Sequence, residues 1–248
     1  VFSWTPGEAT ASTQAGEVVI EEYFEGREVA VDGLLVNGEY QSFPIGDVSF
    51  FDLPARVIPV SICYPTTLPA GLQDAVRRAT EGIVRELGLP FGLTHAEYRV
   101  REETGELCLL EVAARGGGMF ISSDIVPLTC GIEAEEILLR LHLGEPVETP
   151  RPTLDRAAAF CCFAPPAGRL FEIVGLGEVR ERPDVHRVIC DLREGDVVAE
   201  LTDKAARPVV IVLSAHPRQS LDEAVSAVSD KLRFVSERNG RHVPDRPR

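Results

Sequence analysis

The sequence predicts an α+β chain: an antiparallel sheet with packing helices over residues 1–150, followed by a small α+β domain over 151–248. Three observations predict it. The dipeptide Asn37-Gly38 separates apolar runs at 29–36 and 40–45, a strong hairpin signal. Polar residues 102–106, with a Thr104-Gly105 step, separate two further apolar-rich runs and read as a second hairpin. Leu72, Val76, Ala79, Ile83 and Leu87 recur at helical spacing and stop at Gly88.

The elements follow in order. Residues 1–16 are rich in Ser, Thr, Ala and Gly and read as an exposed loop, and Val18-Val19-Ile20 as a short strand. The stretch 46–68 is crowded with Phe50, Phe51, Pro59 and Pro65 and is predicted as a long functional loop. After the helix at 72–87 and the second hairpin come Gly116-Gly117-Gly118 and a helix over 132–143, ended by Gly144 and Pro146. Residues 148–153 form the best linker candidate. Strands are predicted at 157–163, 185–191, 197–201 and 208–214, and a closing helix at 221–235 carries Leu221, Ala224, Val225, Val228 and Leu232 on one face. There is no internal repeat and no low-complexity tract.

Composition narrows the function classes. The 248 residues are 44% hydrophobic and 26% charged, ordinary for globular domains, with a formal charge of −14. Nucleic-acid binding, which needs a clustered basic surface, is not expected. No apolar run approaches the roughly 20 residues that span a bilayer, and the first residues lack the charged and apolar regions of a secretion signal. Cys63, Cys108, Cys130, Cys161, Cys162 and Cys190 form no CxxC pair and read as small buried hydrophobes in a reducing cytoplasm. Lys204 and Lys231 are the only lysines, so arginine carries nearly all the positive charge.

The chemistry-bearing residues gather around the second hairpin. A turn centred on Thr104 sets Glu97 opposite Glu111. Directly opposed residues hold their Cβ atoms about 5 Å apart, where like charges repel. Such a pair is either a solvated, mildly strained acidic couple or a grip for a divalent cation. Mg²⁺ suits the second, since it is commonly held by one or two carboxylates plus substrate phosphates. His95 shares a strand face with Glu97 and is open to a structural or a catalytic role. Arg115 follows the hairpin, placed to clamp a phosphoryl or carboxylate group. The glycines after it allow close backbone approach to a ligand; the alternative is a surface arginine beside a flexible loop. Earlier, Glu21-Glu22-Tyr23-Phe24-Glu25-Gly26-Arg27-Glu28 reads either as an acidic surface turn or as a turn presenting backbone groups to a purine, with Glu28 for ribose hydroxyls.

In this order and spacing the pieces resemble the ATP-grasp superfamily of carboxylate–amine ligases. The hinge matches Glu21-Glu22-Tyr23-Phe24 with Gly26-Arg27-Glu28, and the metal hairpin matches Glu97 and Glu111. His95-Ala96-Glu97 and Glu111-Val112-Ala113-Ala114-Arg115 are most similar to the L-amino-acid (dipeptide) ligase branch, which also lacks the Asn usual two residues after the second Glu. The resemblance runs from about residue 17 to 143, and more weakly through the terminal domain. It implies an ATP-grasp C-terminal lobe with Glu21, Glu22 and Phe24 at the adenine and Glu28 at the ribose. It implies Mg²⁺, with Mn²⁺ as a substitute, on Glu97 and Glu111. Arg115 would act on the acyl phosphate and the oxyanion that follows, His95 on the orientation of the carboxylate substrate, and Met119, Gly117 and Gly118 on the amino-acid pocket. The implied reaction joins a carboxylate to an amine through an acyl phosphate made from ATP. Such enzymes need a lobe before the hinge, so the expected partner is an N-terminal lobe from the same longer chain or a separate subunit, and this chain alone is not expected to turn over ATP. The alternative is a degenerate ATP-grasp subunit with a binding or assembly role.

Overall fold

Strand β1 (Arg27–Val36) is apolar from Val29 onward except at Asp32, and helices cover the sheet on both its faces. A computed structural model describes residues 21–53, 57–153, 155–202, 204, 207–238 and 241–245. The strand expected at 18–20 lies outside them. Strand β2 (Glu39–Phe50) returns antiparallel along β1 through Asn37 and Gly38, both at positive φ (52° and 79°), as the tight hairpin turn requires. Strand β3 (Pro59–Tyr64) pairs with β2, and helix α1 (Ala70–Glu86) crosses to β4 (Gly92–Arg101), which takes the other edge of β1. Strand β5 (Glu106–Ala113) closes the hairpin.

The chain then makes a π-helical turn (Ile121–Ile125) that runs into α2 (Val126–Cys130), followed by α3 (Ala134–His142). Strand β6 (Ala157–Phe163) comes back to the free edge of β3. Beyond it lie β7 (Gly168–Val174), α4 (Leu176–Arg180), β8 (Val185–Cys190), β9 (Val197–Val198), β10 (Val209–Ala215), α5 (Arg218–Lys231), β11 (Arg233–Arg238) and β12 (Arg241–Asp245). One antiparallel sheet therefore runs β5-β4-β1-β2-β3-β6-β10-β8, straight across the segment 148–153, and a smaller sheet runs β12-β11-β7-β9.

Period-two alternation distributes the side chains of that sheet between separate cores. On β6, Ala158, Phe160 and Cys162 join the core beneath the π-turn and α2, while Ala157, Ala159, Cys161 and Phe163 join the core under α5. A third core lies under α1, where Val76 meets Val29, Val31, Ile45 and Tyr98. Val76 and Val84 are wholly buried, each contributing about 1.5–3 kcal/mol of transfer free energy. Thr80 is buried between them because its hydroxyl donates to the Val76 carbonyl (2.9 Å) and meets Tyr98 Oη (3.1 Å). Leu87, expected on the apolar stripe, is half-exposed past the helix end.

Several expectations need correction. The stretch 46–68 is not a loop: its first part extends β2 to Phe50 and its later part forms β3. Pro44 sits where β2 carries an extra residue against β1, and Pro59 opens β3, positions at which a missing N–H costs little. Gly46 lets the Tyr64 ring and Ile62 lie against its backbone, since a Cβ there would fall 2.5 Å from Ile62 Cγ2. The closing helix starts earlier and ends at Lys231; Val235 belongs to β11. The strand expected at 197–201 is only Val197–Val198. The π-turn, α2, β7, α4, β11 and β12 were not expected.

Candidate active site

Glu97 and Glu111 are cross-strand partners on the β4–β5 hairpin. The pairing is not a simple reading-off from the turn. The turn spans Glu102 to Gly105, with Gly105 at φ +75°, and pairs Arg101 with Glu106, so an unbroken ladder would set Glu97 opposite Leu110. A bulge between Tyr98 and Glu97 takes up one extra residue on β5 and brings Glu111 onto the face of Glu97.

Behind this pair stands a buried polar chain. Asp32, 2% exposed, accepts from His95 Nδ1 at 3.1 Å, from the Gly117 backbone N–H at 2.8 Å and from Tyr64 Oη at 3.5 Å. His95 Nε2 meets Glu97 Oε1 at 3.3 Å. Burial alone would lower the pKa of His95, but the hydrogen bonds and charges of Asp32 and Glu97 raise it to about 10, so the ring is an imidazolium donating from both nitrogens. In return the His95 hydrogen bond, outweighing burial and helped by the charges of His95, Lys204 and Arg115, holds the Glu97 carboxyl below its usual range. Gly117 must be glycine for this arrangement: a Cβ would fall 2.7 Å from Asp32 Oδ1 and 2.9 Å from His95 Nδ1.

Arg115 Nη2 donates to Glu111 Oε1 at 3.3 Å and Nη1 to the Gly116 carbonyl at 3.1 Å, both exposed. Met119 and Phe120 follow with φ of 50° and 66°, two successive non-glycine residues in the left-handed region and hence a strained turn. The Arg187 guanidinium, from β8, lies 4.7 Å over the Phe120 ring, and its Nε donates to Asp124 Oδ1 at 2.8 Å.

These groups open onto one cleft of about 590 Å³. His95, Glu97, Glu111, Arg115, Gly118 and Met119 all line it, so the structure brings together most of the residues singled out around the hairpin. Gly117 does not; it is buried behind, supporting Asp32 and His95. The second half of the chain adds Ile189, Asp191, Lys204, Arg207 and Val210 to its lining.

The hinge residues lie elsewhere. Glu21 and Glu22 are exposed, and Phe24 is half-buried with the Arg101 guanidinium 4.4 Å from its ring. Glu28 lines a separate hollow of about 390 Å³ with Tyr23, Phe50 and Arg99. There Arg99 Nε donates to Glu28 at 3.2 Å and its Nη1 to the Phe24 carbonyl at 3.1 Å. Burial raises the Glu28 carboxyl above its usual range against the pull of Arg99.

Two carboxylates of one cleft, one held ionised, suit a hard cation that completes its shell with phosphate oxygens and water. Among the described residues no group of three or more His, Cys, Asp or Glu could enclose a metal by itself. The donor set thus fits Mg²⁺ shared with a substrate, not a closed structural site.

Sequence reasoning missed Asp32, Lys204, Arg207 and Asp191. Asp32 had a signal, a lone acid within an apolar strand; the others reach the cleft only through the long-range pairing of β3 with β6. Among the described residues no helix is long and apolar enough to cross a membrane, and all six cysteines are free, four of them buried.

Comparison with known proteins accords with this geometry. Residues 3–124 match the family model of the ATP-grasp domain, and residues 161–237 match that of the L-amino acid ligase C-terminal domain 2. No curated protein matches the sequence. Among solved structures, the L-amino acid ligase of Bacillus licheniformis is 26% identical with a TM-score of 0.76, over 87% of this chain and 53% of that one. Phosphoribosylglycinamide synthetase of Anaerococcus prevotii has a TM-score of 0.75 at 13% identity, over 87% of this chain and 55% of its own. N5-carboxyaminoimidazole ribonucleotide synthetase of Thermotoga maritima has a TM-score of 0.63 at 17% identity, over 88% of this chain and 55% of its own. The last two likenesses are of fold alone. The chain spans about half the length of these structures.

Proposed function

We propose, from the premise that this chain belongs to the ATP-grasp ligases and joins their ATP-grasp domain to the C-terminal domain 2 of the L-amino acid ligases, that it is the catalytic half of an enzyme forming an amide bond between an amino acid's carboxylate and an amine. The observation that carries the proposal is the cleft in which Glu97, Glu111 and Arg115 converge.

A carboxylate is a poor electrophile until phosphorylated. In this reading its oxygen attacks the γ-phosphorus of ATP, the bond to the β-phosphate oxygen breaks, and ADP leaves. The amine then attacks the acyl carbon, and inorganic phosphate departs with the bonding pair. Glu97 and Glu111 would hold Mg²⁺, which supplies charge neutralisation on the nucleotide phosphates when bound. Arg115 contributes a fixed cation to the phosphoryl group and to the tetrahedral oxyanion, so the rate gain is one of positioning and electrostatics. No protein nucleophile is needed. His95 and Asp32 act through Glu97, keeping its carboxylate ionised and aimed into the cleft. Glu28, with the backbone around Phe24 and the exposed Glu21 and Glu22, would receive the nucleoside; for Glu28 this requires Arg99 to release or share its carboxylate.

Coverage of half of the related structures supports a requirement for a further lobe over the phosphates, from the same longer protein or another subunit. The test is calorimetric titration of the chain with a non-hydrolysable ATP analogue, with and without Mg²⁺, and repeated on E97Q/E111Q. The expected result is binding that Mg²⁺ tightens in the parent and leaves unchanged in the double variant. Equal binding with and without Mg²⁺ in the parent would remove the basis for a metal-assisted ligase.

A further inference from the structure

The part of the cleft lining outside the hairpin and the glycine loop has no assigned role. It presents one ammonium, Lys204, beside Arg207 and Asp191, over an apolar patch made by Ile62, Ile189 and Val210. Arg207 is already committed: Nε donates to the backbone carbonyl of Lys204 at 2.6 Å, and Nη1 to the Pro59 carbonyl at 3.2 Å. It ties the backbone of Lys204 to the start of β3. The ammonium is near enough to the cleft floor to help lower the pKa of Glu97. The other lysine, Lys231, is paired with Glu178 at 2.7 Å.

We propose that Lys204, braced by Arg207, is the anion subsite for the carboxylate of the amine-donating amino acid, and that the apolar patch in the same lining favours a donor with an apolar side chain. The inference rests on the ligase reading of the same cleft. There, the first substrate's carboxylate is consumed as the acyl phosphate, and Arg115 with the acidic pair serves the phosphoryl chemistry. The amine must be uncharged to attack. For an amino-acid donor the remaining charge is its carboxylate, and Lys204 is a cation lining the same cleft that can take it. Asp191 in the same lining offers an acceptor to the amino group, and the apolar patch offers transfer free energy to the side chain. Arg207 is a positioning residue here, acting through the backbone of Lys204.

The test uses the presence of only two lysines. Reductive ¹³C-methylation keeps their charge and gives each a methyl resonance, with Lys231 as the internal control. The labelled chain is titrated with leucine, leucinamide and inorganic phosphate. Leucine is expected to shift the Lys204 signal saturably, leucinamide to leave it in place, and Lys231 to stay still throughout. In R207Q the leucine effect is expected to weaken by roughly tenfold, the scale of one lost charge-assisted hydrogen bond; an undisturbed Lys231 signal reports that the variant is folded. A Lys204 signal that ignores leucine up to its solubility limit, responds equally to leucinamide, or moves only with phosphate overturns the subsite. The nucleotide titration described above separates the two readings. Mg²⁺-dependent nucleotide binding with a silent Lys204 rejects the subsite alone, whereas a leucine-specific shift without Mg²⁺-dependent nucleotide binding overturns the amine-donor assignment together with the ligase reading.

Discussion

Glu97 faces Glu111 because β5 carries one residue more than β4 requires, and the bulge that absorbs it turns Glu111 from the α1 side of the sheet to the cleft side. Two like charges set opposite each other with no cation between them repel. Each of E97Q and E111Q should therefore abolish the Mg²⁺ dependence of nucleotide binding. E111Q, at an exposed position, should at the same time raise metal-free stability by about 0.2–1 kcal/mol. Calorimetry and urea melts read the two effects; an E111Q variant that retains the Mg²⁺ dependence would show that Glu111 does not hold the ion.

Asp32 is the counter-charge to a buried imidazolium. D32N keeps the shape and removes the charge, and breaking such a pair costs about 3–5 kcal/mol. Chemical denaturation should show a loss of up to that size for D32N, where Glu97 alone still faces the ring, and a smaller one for D32N/H95Q.

The same pair gives stability a pH dependence in metal-free protein. The folded pKa of His95, about 10, lies above its ordinary 6.5, so its contribution is complete below 6.5 and disappears as pH rises through about 10. The stability difference between parent and H95Q should shrink steadily across that window. A difference that is constant from 6.5 to about 10 would mean that the ring is neutral throughout.

Burial pushes the Cys162 thiol up to about 11 and also raises those of Cys63, Cys130 and Cys161. Thiolate is the reactive form. A disulfide reagent at about pH 8 should titrate Cys108 and Cys190 quickly, and the other four only on unfolding. Six equally fast thiols would contradict the packing of β6 against its two cores.

Arg187, from β8, pins the strained Met119–Phe120 turn. R187A should lose about 1 kcal/mol of local stability. It should show as faster amide exchange in the π-turn and α2 with little change in β1 or β4. Unchanged exchange there would mean that the turn holds itself.

Much of this molecule was legible in the sequence where a local rule governs. Asn37-Gly38 sets a hairpin, Gly88 stops a helix, and a Thr-Gly step marks the second turn. The face-to-face acids came out correctly although the turn is centred between Glu103 and Thr104, because the bulge compensates for the half-residue error. Rules failed where long-range pairing decides. Phe50, Phe51, Pro59 and Pro65 suggest a loop until β1 and β6 are seen to flank β2 and β3 and supply their partners. Phe234 and Val235 continue an apolar helical stripe in sequence, but β7 offers them a strand to join. The site divided in the same way. The acids and Arg115 belong to one continuous stretch and carry a pattern, whereas Lys204 and Arg207 are brought there by β6 and β10 and have none.

The union of β3 with β6 also limits how this molecule can be divided. Cutting at residue 150 and producing each part alone would leave two raw strand edges, β3 on one piece and β6 on the other, each inviting edge-to-edge aggregation. It would also split the lining of the cleft, leaving Glu97, Glu111 and Arg115 on one piece and Phe160, Ile189 and Val210 on the other.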